Sequence, residues 1–120
     1  MDFIPFPEYD ELTPEDKARI VNGCGPSGWK IKIVPDNILG VSIYEPCCRH
    51  DMGYFLGKDK DASDRDLLAN IVTEIIKHER EKEGIEHVVD VALLKARLDI
   101  AVDFFIGVHL GGDAYFGKRA

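Results

Sequence analysis

Residues 45–54, Glu45-Pro46-Cys47-Cys48-Arg49-His50-Asp51-Met52-Gly53-Tyr54, decide how the rest of the chain is read. Glu45-Pro46 has the makeup of a helix start, and the stretch predicts a helix running to about Gly57. At helical spacing Cys47, His50, Asp51 and Tyr54 share one face, while Cys48, Met52, Phe55 and Leu56 lie largely on the other. An isolated His-Asp pair reads most simply as a histidine capping or bonding in the core beside a solvated aspartate. The next helix changes that reading.

Lys58 to Asp61 form a tight polar connection, followed by a helix expected from Ala62 to Glu83 and closed by Gly84. So short a link implies antiparallel neighbours. On this third helix Asp64 falls on the stripe of Leu68, Ile71 and Ile75, whereas Asp66 falls with Asn70 and Thr73 on the polar side. A carboxylate at the end of an apolar stripe costs stability unless it is partnered, and the antiparallel helix offers His50 and Tyr54. An imidazole N–H donated to Asp64 would fix the tautomer and leave the other ring nitrogen as a base. The simpler alternative makes Asp64 an early-turn acid that interacts with the helix dipole. A fourth helix is expected from about His87 to Leu110, carrying Val88, Leu93, Leu94, Leu98, Ile100, Ala101, Phe104, Phe105 and Val108 and ending at Gly111-Gly112.

Toward the N-terminus, Thr13-Pro14-Glu15-Asp16 has the signature of a capped helix start. That helix should stop at Asn22-Gly23-Cys24-Gly25-Pro26-Ser27-Gly28. The alternation of Lys30, Ile31, Lys32 and Ile33 suggests a brief strand between Trp29 and Val34, and Pro35-Asp36-Asn37 a turn. The glycine loop gives Asp51 a role distinct from that of a base. Calcium takes oxygen ligands from carboxylates and backbone carbonyls, and a loop of small residues can turn several carbonyls to one point. Taken alone, the same loop is an ordinary helix stop.

The whole chain bounds these readings. Its 120 residues make one domain, residues 1–120, with no internal repeat or linker. A net charge of −7 argues against nucleic acid as a partner, because phosphate contacts need clustered Lys and Arg. Met1-Asp2-Phe3-Ile4-Pro5 lacks the basic start and apolar run of a secretory signal, which leaves secreted and cytoplasmic settings both open. Three cysteines suit one disulfide and one leftover thiol. Adjacent Cys47 and Cys48 are poorly placed to bond each other, so Cys24 would join one of them.

Gly23-Cys24-Gly25-Pro26-Ser27-Gly28, followed by Cys47-Cys48-Arg49-His50-Asp51-Met52-Gly53-Tyr54, resembles the calcium loop and catalytic helix of the phospholipase A2 superfamily. The resemblance covers roughly residues 20–75 well. The tail, Phe104 to Val108 and Tyr115-Phe116, resembles the closing segment of bacterial members more weakly. It implies an all-α fold of antiparallel helices carrying a His-Asp site beside a Gly-rich calcium loop. It implies Ca2+ held by the carbonyls of Gly23, Gly25 and Ser27 with the carboxylate of Asp51. His50 would activate a water, and Asp64 and Tyr54 would orient its ring. The loop cysteine would pair with Cys47, leaving Cys48 as the free thiol, where alanine or serine should be tolerated. The substrate would be a phospholipid, reached by peripheral contact with a membrane interface. Phe3, Ile4, Phe6 and Trp29 could form an apolar rim for that contact, although core packing explains such residues equally well.

Three departures from the family pattern stand out. The stretch between loop and helix cysteines is longer than in the animal secreted enzymes, and their dense disulfide set is absent. The second aspartate also comes soon after the helix turn, so its reach to His50 is the feature a structure decides. Two other readings compete. A catalytically silent helical binding module would keep the fold. A zinc site from Cys24, Cys47, Cys48 and His50 fits less well, because structural zinc favours cysteines two to four residues apart.

Overall fold

A computed structural model describes residues 2–20, 37–81 and 91–112, with the backbone alone at Ile20. The glycine loop, the expected strand near Ile31 and Ile33, the start of the fourth expected helix at His87 and the segment from 113 onward lie outside the described residues. What is described is mostly helical: α1 (Pro7–Asp10), α2 (Pro14–Ile20), β1 (Asn37–Ile38), β2 (Val41–Ser42), α3 (Tyr44–Leu56), α4 (Lys60–Arg80) and α5 (Val91–Gly111).

The local chemistry accounts for the helix ends. Thr13 Oγ1 accepts the Asp16 N–H at 3.2 Å, which caps α2. α3 stops at Gly57, whose φ of +66° is the left-handed conformation that ends many helices, and its N–H bonds back to Tyr54. α4 begins at Lys60, two residues before the expected Ala62, because the Asp59 side chain accepts the Ala62 N–H at 3.1 Å. α4 is described to Arg80, short of the expected Glu83, which lies outside the described residues.

Two elements were not foreseen. α1 starts on Pro7, which presets the first helical φ. β1 and β2 form a two-residue hairpin, with Asn37 opposite Ser42 and Ile38 opposite Val41. The turn of this hairpin falls at Leu39-Gly40, both with positive φ (46° and 89°). Of the expected turn Pro35-Asp36-Asn37, Pro35 and Asp36 lie outside the described residues, and Asn37 pairs in β1. Asn37 therefore opens a strand.

α4 is the centre of the packing. It lies against α3 on one side and α5 on the other, with the hairpin over one end. Gly53 of α3 meets α4 so closely that a β-carbon would fall 2.8 Å from Ser63 Oγ. The main core joins Ile38, Val41 and Ile43 to Cys47, to Leu67, Ile71 and Ile75 of α4, and to Ala101 of α5. A second cluster packs Tyr9, Phe6 and Leu12 on the opposite face of α3, at Cys48 and Met52. Phe55 and Leu56, expected on that same face, are exposed.

The polar side expected for α4 needs correction. Asp66 is exposed, but Asn70 and Thr73 are buried. The Asn70 side chain accepts the backbone N–H of Ile4 at 2.8 Å, and the Thr73 hydroxyl donates to the Ala69 carbonyl at 3.0 Å. Asn70 thus pins the N-terminal segment to α4. Each polar group is buried because it has found a partner.

Candidate active site

α3 and α4 bring His50, Tyr54 and Asp64 together. His50 Nε2 lies 2.7 Å from Asp64 Oδ1, and the Tyr54 hydroxyl donates to the same oxygen at 2.7 Å. The antiparallel pairing and the close approach at Gly53 and Ser63 overcome the short reach from the start of α4. The His50 and Tyr54 rings sit 4.2 Å apart between centroids.

Asp64 is fully buried, and its other oxygen is occupied too. Lys60 Nζ donates to Oδ2 at 2.7 Å, and His109 Nδ1 lies 2.9 Å from it. A carboxylate has about four acceptor positions, and four donors fill them here. Burial alone would push this carboxyl up. The bonds from His50, Lys60, Tyr54 and His109 overcome that and hold it well below the usual carboxylate range.

An ionised Asp64 can only accept. The ring nitrogens facing it are therefore the N–H donors: Nε2 of His50 and Nδ1 of His109. A neutral His50 ring with its proton on Nε2 has its acceptor at Nδ1, the form a general base requires.

Sequence reasoning missed Lys60 and His109. Lys60 carries a readable signal, since it stands four residues before Asp64 on the same helix face. His109 gives none, being 45 residues from Asp64 and joined to it only by the packing of α5 on α4. The end of α5 fits closely here. Lys60 Nζ also donates to the His109 carbonyl at 2.8 Å, and at Gly112 a β-carbon would fall 2.2 Å from the Tyr54 hydroxyl.

Asp51 follows His50 on α3 and is partly buried. It is the one member of the expected calcium set among the described residues, since Gly23, Gly25 and Ser27 lie outside them. No group of three or more His, Cys, Asp and Glu side chains is arranged to hold a metal ion among the described residues. A calcium site of one carboxylate and several backbone carbonyls would not require such a group.

Cys47 is disulfide-bonded, while Cys48 is a free, buried thiol. Cys24, the expected partner, lies outside the described residues. Burial pushes the Cys48 thiol up to about 11, which disfavours the thiolate that zinc would need.

Beside His50 a small pocket is walled by Ile4, Pro5 and Phe6 on one side and by Ser63, Asp66, Leu67 and Asn70 of α4 on the other. Arg49 closes it, donating to the Ile4 carbonyl at 3.2 Å and pairing with Asp10. Phe3 lies under the guanidinium of Arg49 and the ammonium of Lys77, and Phe6 packs on the Tyr9 cluster. Ile4 is 41% exposed, so of the three described aromatic and aliphatic rim candidates it alone is largely open. No helix among the described residues is long and apolar enough to cross a membrane. Comparison of the chain with family models, with curated proteins and with solved structures returned no match.

Proposed function

We propose that this protein is a calcium-dependent hydrolase of the phospholipase A2 type, which cleaves an acyl ester of a phospholipid with a water activated by His50. The observation that carries the reading is the orientation of that ring. Asp64 accepts the hydrogen bond of Nε2–H at 2.7 Å, which leaves Nδ1 to accept a proton from water, and Asp51 follows directly in sequence. Tyr54 shares the same aspartate oxygen and restrains the carboxylate that aims the ring.

In this reading the Asp51 carboxylate and the carbonyls of Gly23, Gly25 and Ser27 hold Ca2+, and a Cys24–Cys47 bond ties the loop to α3. Calcium so held would supply Lewis-acid polarisation of the ester carbonyl and charge to stabilise the oxyanion. His50 Nδ1 takes the proton of the attacking water and afterwards returns it to the leaving alkoxide. No side-chain nucleophile is needed. The exposed Ile4 at the edge of the pocket beside His50 suits peripheral contact with a lipid surface.

The test is release of fatty acid from mixed phospholipid vesicles with and without calcium. Release that requires calcium supports the reading. Vesicle binding without release at any calcium concentration would point instead to a silent binding module with the same fold.

A further inference from the structure

Asp64 carries twice the number of donors that orienting His50 requires. His50 and Tyr54 occupy Oδ1, and Lys60 and His109 occupy Oδ2. A carboxylate turns about its last torsion in a broad, two-fold well, so bonds to one oxygen alone leave its plane loosely set. Donors on both oxygens fix that plane, and with it the direction in which Oδ1 meets the imidazole.

We propose that His109 and Lys60 are positioning residues for His50, acting through the second oxygen of Asp64. The proposal rests on the reading of His50 as the base. It adds α5, through His109, as an element on which turnover depends.

Several independent contacts build this arrangement. The ring of His109 stacks on Phe105 with centroids 5.6 Å apart and planes 14° apart, which sets its orientation before it meets Asp64. Lys60 Nζ bridges Asp64 Oδ2 and the backbone carbonyl of His109, so the ammonium ties the start of α4 to the end of α5. Its side chain is only 13% exposed, so the bond to Asp64 is made largely out of water. Gly112 lets the same end of α5 approach the Tyr54 hydroxyl, where any side chain would collide. Asp61 also approaches His109 Nδ1, at 3.9 Å, but the shorter contact to Asp64 is the hydrogen bond.

The two amide substitutions of His109 separate positioning from packing. The amide nitrogen of His109→Asn falls near the place of Nδ1 and can still donate to Asp64, whereas His109→Gln carries its amide one carbon farther out. Both are polar replacements of a side chain that is 40% exposed, so both should fold.

We expect His109→Gln to lower kcat about ten-fold, a loss of the size that follows from slight misplacement of a reacting group, with KM nearly unchanged. His109→Asn should recover most of that loss, and Lys60→Met should resemble His109→Gln. A second readout needs no substrate: nitrogen NMR of labelled histidines. In the parent protein and His109→Asn, His50 should show the single Nε2–H tautomer with a slowly exchanging proton. In His109→Gln and Lys60→Met that proton should exchange about ten-fold faster as the hydrogen bond loosens. Equal kcat in the Asn and Gln variants, or a His50 ring signal unchanged in His109→Gln and Lys60→Met, overturns the proposal. A parent protein that releases no fatty acid would sink the proposed function, while the NMR comparison would still decide whether His109 and Lys60 position His50.

Discussion

Asp64 and Arg97 are both buried charges, and the protein treats them in opposite ways. Asp64, at the end of α4 nearest His50, has every acceptor position filled, and one of its donors is the ammonium of Lys60. Arg97, toward the other end of α5, is only 5% exposed and gives two hydrogen bonds to a single backbone carbonyl, that of Leu39, at 3.2 and 2.7 Å. Its Nη1 is buried with no partner, and it makes no ion pair among the described residues. A saturated network fixes the position of each atom in it, and chemistry that depends on orientation benefits from that. A half-satisfied guanidinium fastens a turn. Leu39 holds a left-handed φ of +46°, and Arg97 is the side chain that secures its carbonyl.

The contrast can be broken most forcefully at Asp64. Replacing it with alanine strands Lys60 in a largely buried setting, and removing one partner of a buried ion pair costs on the order of 3–5 kcal/mol. Denaturant unfolding of Asp64→Ala should show a loss of that size. The pH dependence follows from the same bonds. The folded-state carboxyl is held below its unfolded value, so its contribution is complete above the ordinary carboxylate range. It is lost as pH falls from about 5 through about 3.9 toward the lowered folded value. The stability gap between the parent protein and Asp64→Asn should therefore narrow steadily as the pH is lowered through that window. A gap that stays constant would mean that the cluster does not hold the carboxylate in its ionised form.

At Arg97 the expected effects are smaller. Arg97→Met gives up the bonds to Leu39 but also removes a buried charge with an unmatched donor, so the net cost should be about 1 kcal/mol. A loss as large as that for Asp64→Ala would show the two buried charges to be alike. Smallest of all is Leu39→Gly. Relief of the left-handed backbone, less the entropy that glycine adds to the unfolded chain, should raise stability by about 0.5 kcal/mol, read as a small increase in Tm.

The two regions also differ in how much of them could be read from residues alone. His50, Tyr54 and Asp64 were legible because helical spacing puts the first two on one face and places a carboxylate on an apolar stripe opposite them. The short link between α3 and α4 supplied the pairing. Lys60 stands four residues before Asp64, but with the helix expected to start only at Ala62 it falls in the polar connection, and its place on α4 beside a buried Asp64 emerges from the fold. His109 depends on the packing of α5, which no local pattern encodes. The hairpin stayed hidden because Leu39-Gly40 lacks the asparagine or aspartate that usually marks such a turn, and Arg97, which secures it, comes 58 residues later. Helical spacing puts Asn70 and Thr73 on the side of Asp66, where polarity suggests solvent, yet both are buried. Each has an acceptor or donor waiting in the interior.

The measurement closest to the central claim is the initial rate of fatty acid release from phospholipid vesicles at saturating calcium, for the parent protein and His50→Gln side by side. Glutamine fits the space but cannot serve as a base, so the rate should fall by about 10²–10⁴ while the helical circular dichroism and Tm remain near those of the parent. Turnover by folded His50→Gln at the parental rate would contradict the account, because the water would then be activated by some other group.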